Sequence, residues 1–338
     1  MRSADARGDL CLVTGATGFV GTRFCEGLMN TGAQRIRALV RSSKKSSLLP
    51  GPNIERARGD LLDAGSVSRA VQGCDIVVHL AHGDDRYAPI ATRNLVEAVC
   101  RSRVRRFVHV SSVVVHGFRH SENPSAYAAS KFEEEQIVRQ AMDCGDLQGV
   151  ILRPTIVYGP RGPFVTRVIE EAKTGTVTVI DEGGGICNAV FVDDVCHAIE
   201  AAMVVEAALG KTMVINADHA VTWREFTLAF ANLVRPPPQV RNVSAAEAYR
   251  WWADHPPTPE PPHRSLLERM VRKAIRIVSP TQAPAPYPDP GRIWRESERL
   301  EYPNDDAKYL LDWSPKMDLA AGAAEVRKWL DRARDGSV

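Results

Sequence analysis

The chain has 338 residues, 44% of them hydrophobic and 25% charged, with a formal net charge of +2. That length suits one large core with a smaller lobe, and the composition is that of an ordinary globular protein. A charge so close to balance gives no support to a nucleic-acid partner, and no run of eighteen apolar residues exists to span a bilayer. Seven cysteines are scattered without a CxxC pair, so buried free thiols in a reducing compartment are expected. The polar stretch Met1 to Asp9 lacks the apolar centre of a secretory signal, and the expected location is the cytoplasm.

Leu10 to Thr14 is a short apolar run that reads as a strand buried on both faces. Gly15, Gly18 and Gly21 follow at intervals of three, and Thr22 to Met29 reads as a helix. In such a unit Gly15 makes the tight turn and Gly18 lets backbone N–H groups approach a pyrophosphate. Gly21 lets the helix sit close to the strand, and the helix N-terminus offers partial positive charge to the phosphates. Further strands are predicted at Arg35–Val40, Asn53–Arg58, Asp75–Leu80, Arg105–Ser111 and Gly149–Leu152. Helices are predicted between them at Gly65–Gln72, Ile90–Ser102 and Ala126–Met142. This alternation predicts an α/β fold, a doubly wound parallel sheet of Rossmann type, with ligands at the carboxyl ends of the strands.

The second half is less regular. Val177–Ile180, Asn188–Val192 and Thr212–Asn216 read as strands, and Asp193–Val205 and Trp223–Leu233 as helices. Thirteen of the 22 prolines lie between Pro236 and Pro290, a composition break that reads as a loop-rich excursion. The expected division is a dinucleotide-binding domain over 1–165, to which 188–218 returns, and a smaller, loop-rich substrate lobe over 166–187 and 219–338. Inside the excursion, Arg264–Val278 is a basic amphipathic helix. It either covers the core or a partner subunit with its apolar face, or lies on an anionic membrane surface.

Tyr127 and Lys131 are four apart at the start of a predicted helix, which puts ammonium and phenol on one face. The ammonium favours the phenolate, so Tyr127 is the candidate for proton exchange with a substrate hydroxyl or carbonyl. Ser112 ends the fifth strand, where its hydroxyl can hold the substrate oxygen against Tyr127.

Together these pieces resemble the extended short-chain dehydrogenase/reductase superfamily, of the NAD-dependent epimerase/dehydratase type. The carrying segments are Thr14–Gly21, Gly59-Asp60, His79-Leu80-Ala81, Ser111-Ser112 with His116-Gly117, and Tyr127 to Lys131. Arg153 to Pro160, Phe191 to Asp194 and Ala307 to Pro315 follow in the family's order. The resemblance implies a Ser112–Tyr127–Lys131 catalytic trio and a homodimer built on the helices at Ile90–Ser102 and Ala126–Met142. It implies a nicotinamide cofactor held by Gly15, Thr17, Gly18, Phe19, Val20, Gly21, Arg41, Asp60, Leu61, Leu80, Ala81 and His82. Tyr127, Lys131, Pro154 and Thr155 complete that set.

The second strand ends Leu39-Val-Arg41-Ser-Ser-Lys44-Lys45, without the carboxylate that usually holds the ribose 2′-hydroxyl of NAD. NADP is therefore the expected cofactor, with NAD the alternative. Ser112-Val-Val114 lacks the acid/base pair of the family's dehydratases, and Ile156 and Cys187-Asn188 stand where nucleotide-sugar members carry anchoring Asn and Arg. The expected reaction is hydride transfer at a secondary alcohol or ketone of a small molecule, with His116 and Asn188 toward the substrate and no metal. His116 is either a second proton donor or part of the lining. A nucleotide-sugar epimerase with tightly bound NAD is the alternative, and a silent NADP-binding regulator the second.

Overall fold

The structure, a computed structural model, describes residues 8–32, 34–42, 49, 51, 54–118, 125–256 and 286–335. Its first half is built from β1 (Leu10–Thr14), α1 (Phe19–Thr31), β2 (Arg35–Val40), β3 (Glu55–Arg58), α2 (Ala64–Val71) and β4 (Ile76–His79). There follow α3 (Ala88–Cys100), β5 (Arg106–Val110), the single turn α4 (Val114–Phe118), α5 (Ala126–Asp143) and β6 (Gly149–Pro154). Each sequence-predicted strand and helix of this half is present, within a few residues at its ends. The apolar runs Leu10–Thr14 and Ile76–His79 are buried along their whole length, as strands covered on both faces require.

In the second half come β7 (Ile156–Tyr158), α6 (Pro163–Lys173), β8 (Thr176–Ile180), β9 (Ile186–Cys187), β10 (Ala189–Phe191) and α7 (Val192–Val204). The chain continues through β11 (Thr212–Ile215), β12 (Val221–Thr222), α8 (Trp223–Ala231), β13 (Gln239–Val243) and α9 (Ala245–Asp254). The last helices are α10 (Pro290–Ser297), α11 (Asp305–Leu311) and α12 (Leu319–Arg334). Seven parallel strands form the main sheet in the order β11-β6-β5-β4-β1-β2-β3. Its direction of growth reverses between β1 and β4, which opens the ligand crevice of a doubly wound fold there. One apolar layer lies under α2, α3 and α5, and a larger one under α1, α7, α8 and the C-terminal helices.

The second half departs from its predicted outline in two places. The strand expected at Asn188–Val192 is present as Ala189–Phe191, paired parallel with Ile156–Tyr158, but a second short strand that was not expected, Ile186–Cys187, precedes it and pairs antiparallel with Val221–Thr222. Asn188, between them, turns the chain from one partner to the other. Within the Pro-rich stretch, β13 runs parallel to β8, and Ser244 caps α9 by accepting from the Glu247 N–H. Proline blocks punctuate that stretch without preventing local structure. The basic helix expected at Arg264–Val278 lies outside the described residues. All seven cysteines are free, five of them buried. No helix among the described residues is long and apolar enough to cross a membrane.

The C-terminal segment is tied back onto the sheet by polar groups as well as by apolar area. Asp194, at the start of α7, accepts from the N–H groups of Lys316 (3.0 Å) and Met317 (3.1 Å). Tyr158, fully buried on β7, donates its hydroxyl to the Asp318 carbonyl at 3.0 Å. Gly322 of α12 lies against that ring, and a Cβ there would sit 2.5 Å from the Tyr158 hydroxyl. Gly322→Ala therefore forces helix and ring apart and should lower stability by about 1–3 kcal/mol in denaturant unfolding.

Candidate active site

The glycine turn is built for close approach. Gly15 has φ 71°, and a Cβ on it would lie 2.6 Å from the Ala81 nitrogen. Gly21 presses on the same turn, where a Cβ would fall 2.1 Å from the Gly15 carbonyl oxygen. Gly18 precedes α1 with no side-chain cap, and the first ladder bond of the helix runs from the Thr22 N–H to the Gly18 carbonyl. The N–H groups of Phe19, Val20 and Gly21 are thus the free donors of the first turn, and they suit a phosphate anion.

From this turn opens a cavity of about 300 Å³ along the carboxyl ends of β1, β2 and β4. Of the sequence-predicted cofactor residues, Gly15, Thr17, Gly18, Arg41, Asp60, Leu61, Leu80, Ala81 and His82 line it. Asp60 shapes the far wall, where its carboxylate accepts from the Leu62 N–H at 3.0 Å. Phe19 lines instead an adjoining groove, shared with Thr17 and Gly18 and bordered by Arg161 and Trp329. Lys44 and Lys45 lie outside the described residues. Thr155 donates its hydroxyl to Asn216 Oδ1 at 2.9 Å in a buried position. Pro154 precedes it as the last residue of β6.

Ser112, Tyr127 and Lys131 gather where β5 and α5 meet. Ser125 caps α5 by accepting from the Ala128 N–H, which sets Tyr127 in the first turn, 37% exposed. Burial pushes the Tyr127 phenol up and the Ser112 hydroxyl pulls it down, while Glu134 and Asp85 add to the rise. Lys131 is buried, and its Nζ lies 3.3 Å from Glu134 Oε2 and 3.4 Å from the Val110 carbonyl. The expected support of a phenolate by the Lys131 charge is thus outweighed here by burial, with the ammonium turned to Glu134.

Glu134, Asp85 and His109, which the sequence reading did not single out, complete the surroundings together with His79 and His82. Glu134, fully buried one turn beyond Lys131, faces His82 Nδ1 at 3.1 Å and accepts from the Thr92 hydroxyl at 3.2 Å. His82 Nε2 lies 2.8 Å from Asp85 Oδ1, and the ring meets Tyr127 edge-on at 4.9 Å. His79 is held by the hydroxyls of Thr14 (2.7 Å) and Thr92 (3.0 Å), and burial pushes it down to about 4. His109, equally buried and also pushed down by burial, has no partner for either ring nitrogen among the described residues. His79, His109 and Glu134 offer ligand atoms within 4.8 Å of one another. The Lys131 ammonium on that carboxylate and the two threonines on His79 make this a poor seat for a cation. An acidic residue three after the lysine on a buried helix face was the signal available for Glu134.

The two substrate candidates divide. His116 on α4 is exposed and borders a cavity of about 830 Å³ with Arg153, Trp294, Leu300 and Tyr302. Its Nε2 lies 3.0 Å from Arg153 Nη1, and Arg153 forms a two-point pair with Glu135 (2.8 and 2.6 Å). Asn188 is tied into the fold at the place where a substrate contact was expected. Its Nδ2 donates to the Leu300 carbonyl at 2.8 Å, and its Oδ1 accepts from Asn216 Nδ2 and the Tyr302 N–H, both at 3.1 Å. Both Oδ1 contacts and one Nδ2 N–H are thus spent within the fold, and the second Nδ2 N–H is the amide's remaining donor.

The sheet order and the glycine cradle define a dinucleotide-binding protein of Rossmann class. A family model described as the NAD dependent epimerase/dehydratase family matches residues 11–217, and the chain belongs to that family. Among curated proteins it is similar to 2-alkyl-3-oxoalkanoate reductase of Stenotrophomonas maltophilia, 32% identical over 268 residues that make up 71% of this chain and 80% of the relative. The protein of the same description in Shewanella oneidensis is 26% identical over 70% of this chain and 69% of its own. Among solved structures, UDP-glucuronic acid 4-epimerase from Bacillus cereus in complex with NAD is 18% identical, with a TM-score of 0.71 over 97% of this chain and 98% of that one.

The expectation of NADP is corrected by these comparisons: the solved relatives named with a dinucleotide hold NAD. Charge at the end of β2 was a poor discriminator, because a guanidinium such as Arg41 can also donate to a ribose hydroxyl or stack on a flat base. The chain is an NAD-dependent oxidoreductase of this superfamily. Gly21→Ala, which puts a methyl group against the Gly15 carbonyl, should weaken NAD binding by at least about tenfold in calorimetric titration.

Proposed function

We propose that the chain moves a hydride between NAD and a carbinol carbon of a small molecule, with Tyr127 as acid and base. The observation that carries this reading is the convergence of Ser112, Tyr127 and Lys131 beside the glycine-turn cleft. The free N–H groups of Phe19, Val20 and Gly21 would hold the pyrophosphate, and Arg41 and Asp60 would flank the adenosine half. NAD supplies the hydride acceptor when bound. Tyr127 Oη takes the proton of the substrate hydroxyl in oxidation and returns it to the carbonyl oxygen in reduction. The Ser112 hydroxyl orients that oxygen, and Lys131 lowers the cost of negative charge on the phenol oxygen.

The fate of the hydride separates two reactions. The solved relatives, with NAD and UDP-sugars in their descriptions, favour the nucleotide-sugar epimerase that the sequence reading placed second. In that case the hydride returns to the opposite face of a keto intermediate. The two oxoalkanoate reductases support net reduction of a ketone instead. The purified protein is first denatured to identify any retained dinucleotide. It is then assayed with UDP-glucuronic acid, no cofactor added, and separately with NADH and a 2-alkyl-3-oxoalkanoate. Retained NAD with epimerised sugar establishes the first reaction, and NADH consumption the second. In whichever assay turns over, Tyr127→Phe should cost kcat about 10²–10⁴-fold and leave NAD binding intact. A Tyr127→Phe enzyme of full activity overturns the assignment.

A further inference from the structure

We propose that Glu134 is the positioning residue for Lys131: its carboxylate keeps the ammonium charged and aimed beside Tyr127. It is itself braced from the surface through His82 and Asp85. The inference rests on the reading of Tyr127 and Lys131 as the proton-transfer pair. It adds to that reading the group on which the lysine depends.

A lysine with no water around it needs an anion, or it gives up its proton. Around Lys131 the described groups leave one neighbour for that task. From β4 and β5 come His79 and His109, which burial keeps in their neutral forms. On α5 itself, Glu135 is spent on Arg153 at 2.6 Å and 2.8 Å. Asp85 reaches inward only through His82, and Tyr127 is a phenol pushed up by burial. Glu134 alone meets the ammonium directly, at 3.3 Å, and it is fully buried. Burial alone would protonate it, yet His82 and Lys131 hold its carboxyl well below the usual carboxylate range. Burial pulls the Lys131 ammonium down, and Glu134 is the largest influence opposing that pull.

The geometry fixes position as well as charge. Lys131 and Glu134 are one helical turn apart, so their contact aligns both side chains along α5. The Thr92 hydroxyl (3.2 Å) and Ser130 hydroxyl (3.4 Å) hold Glu134 from α3 and from α5. His82 joins the carboxylate to Asp85, whose side chain is 34% exposed, so the buried pair has a braced connection to solvent.

Lys131 acetylation, read by peptide mass spectrometry after brief acetic anhydride treatment of the folded protein across pH, tests this without needing turnover. Only the free amine reacts. In Glu134→Gln, Lys131 should label about tenfold faster than in the wild type near neutral pH, the size of losing one close anion. Its labelling curve should shift to lower pH, and Glu134→Asp should restore most of the protection. Asp85→Asn, at a half-exposed position where folding is safe, should give a smaller rise of the same sign, and it carries the test should Glu134→Gln not fold. Unchanged Lys131 labelling in folded Glu134→Gln, or in Asp85→Asn where that variant stands in, overturns the proposal. Failure of the Tyr127 assignment would show instead as full activity in Tyr127→Phe, which the labelling does not read.

Discussion

The contact between Gly21 and the Gly15 carbonyl is the constraint on which the site depends. With no room for even one carbon between them, α1 meets the end of β1 at a distance that only a glycine at position 21 permits. That distance aims the unpaired N–H groups of the first helical turn at the cleft, and the same turn presses Gly15 against Leu80 and Ala81 at the end of β4. The switch in strand order falls between β1 and β4, so crevice and anion seat coincide.

Legibility in the sequence followed burial. Strands such as Leu10–Thr14 and Ile76–His79 are apolar throughout because helices cover both faces, and that signal survives without knowledge of neighbours. The pairings of Ile186–Cys187, Ala189–Phe191 and Gln239–Val243 are two to five residues long and set by distant partners. Asn188 shows the same limit at the level of one side chain. Its place in the family's pattern suggested a ligand, whereas Asn216, Leu300 and Tyr302, all distant in sequence, take its Oδ1 and one of its Nδ2 N–H groups.

Those amides also explain how the loop-rich C-terminal region is held in register with the sheet. Thr155, Asn216 and Asn188 form a buried chain of hydrogen bonds across the ends of β6 and β11, and it reaches the backbone at Leu300 and Tyr302. Asn304 extends it by donating to the Asn216 carbonyl at 2.9 Å. A lobe held by apolar area alone could slide, whereas paired amides have one geometry and a penalty for every unmet group. The segment bordering His116 and Arg153 is therefore located by a buried chain of amides and a hydroxyl bonded to one another and to its backbone.

The charged side of the site obeys a different economy. Arg153 and Glu135 neutralise each other in two-point contact on one flank of α5, and Lys131 and Glu134 do so on the other. On the buried strands β4 and β5, the desolvation of His79 and His109 outweighs the pull of Glu134 and keeps both uncharged. Tyr127, set in the first turn of the same helix, meets edge-on the ring of His82, which lines the cleft and touches Glu134 of the buried pair. A proton moving at the Tyr127 oxygen changes the local charge by one unit beside an ion pair that water cannot screen.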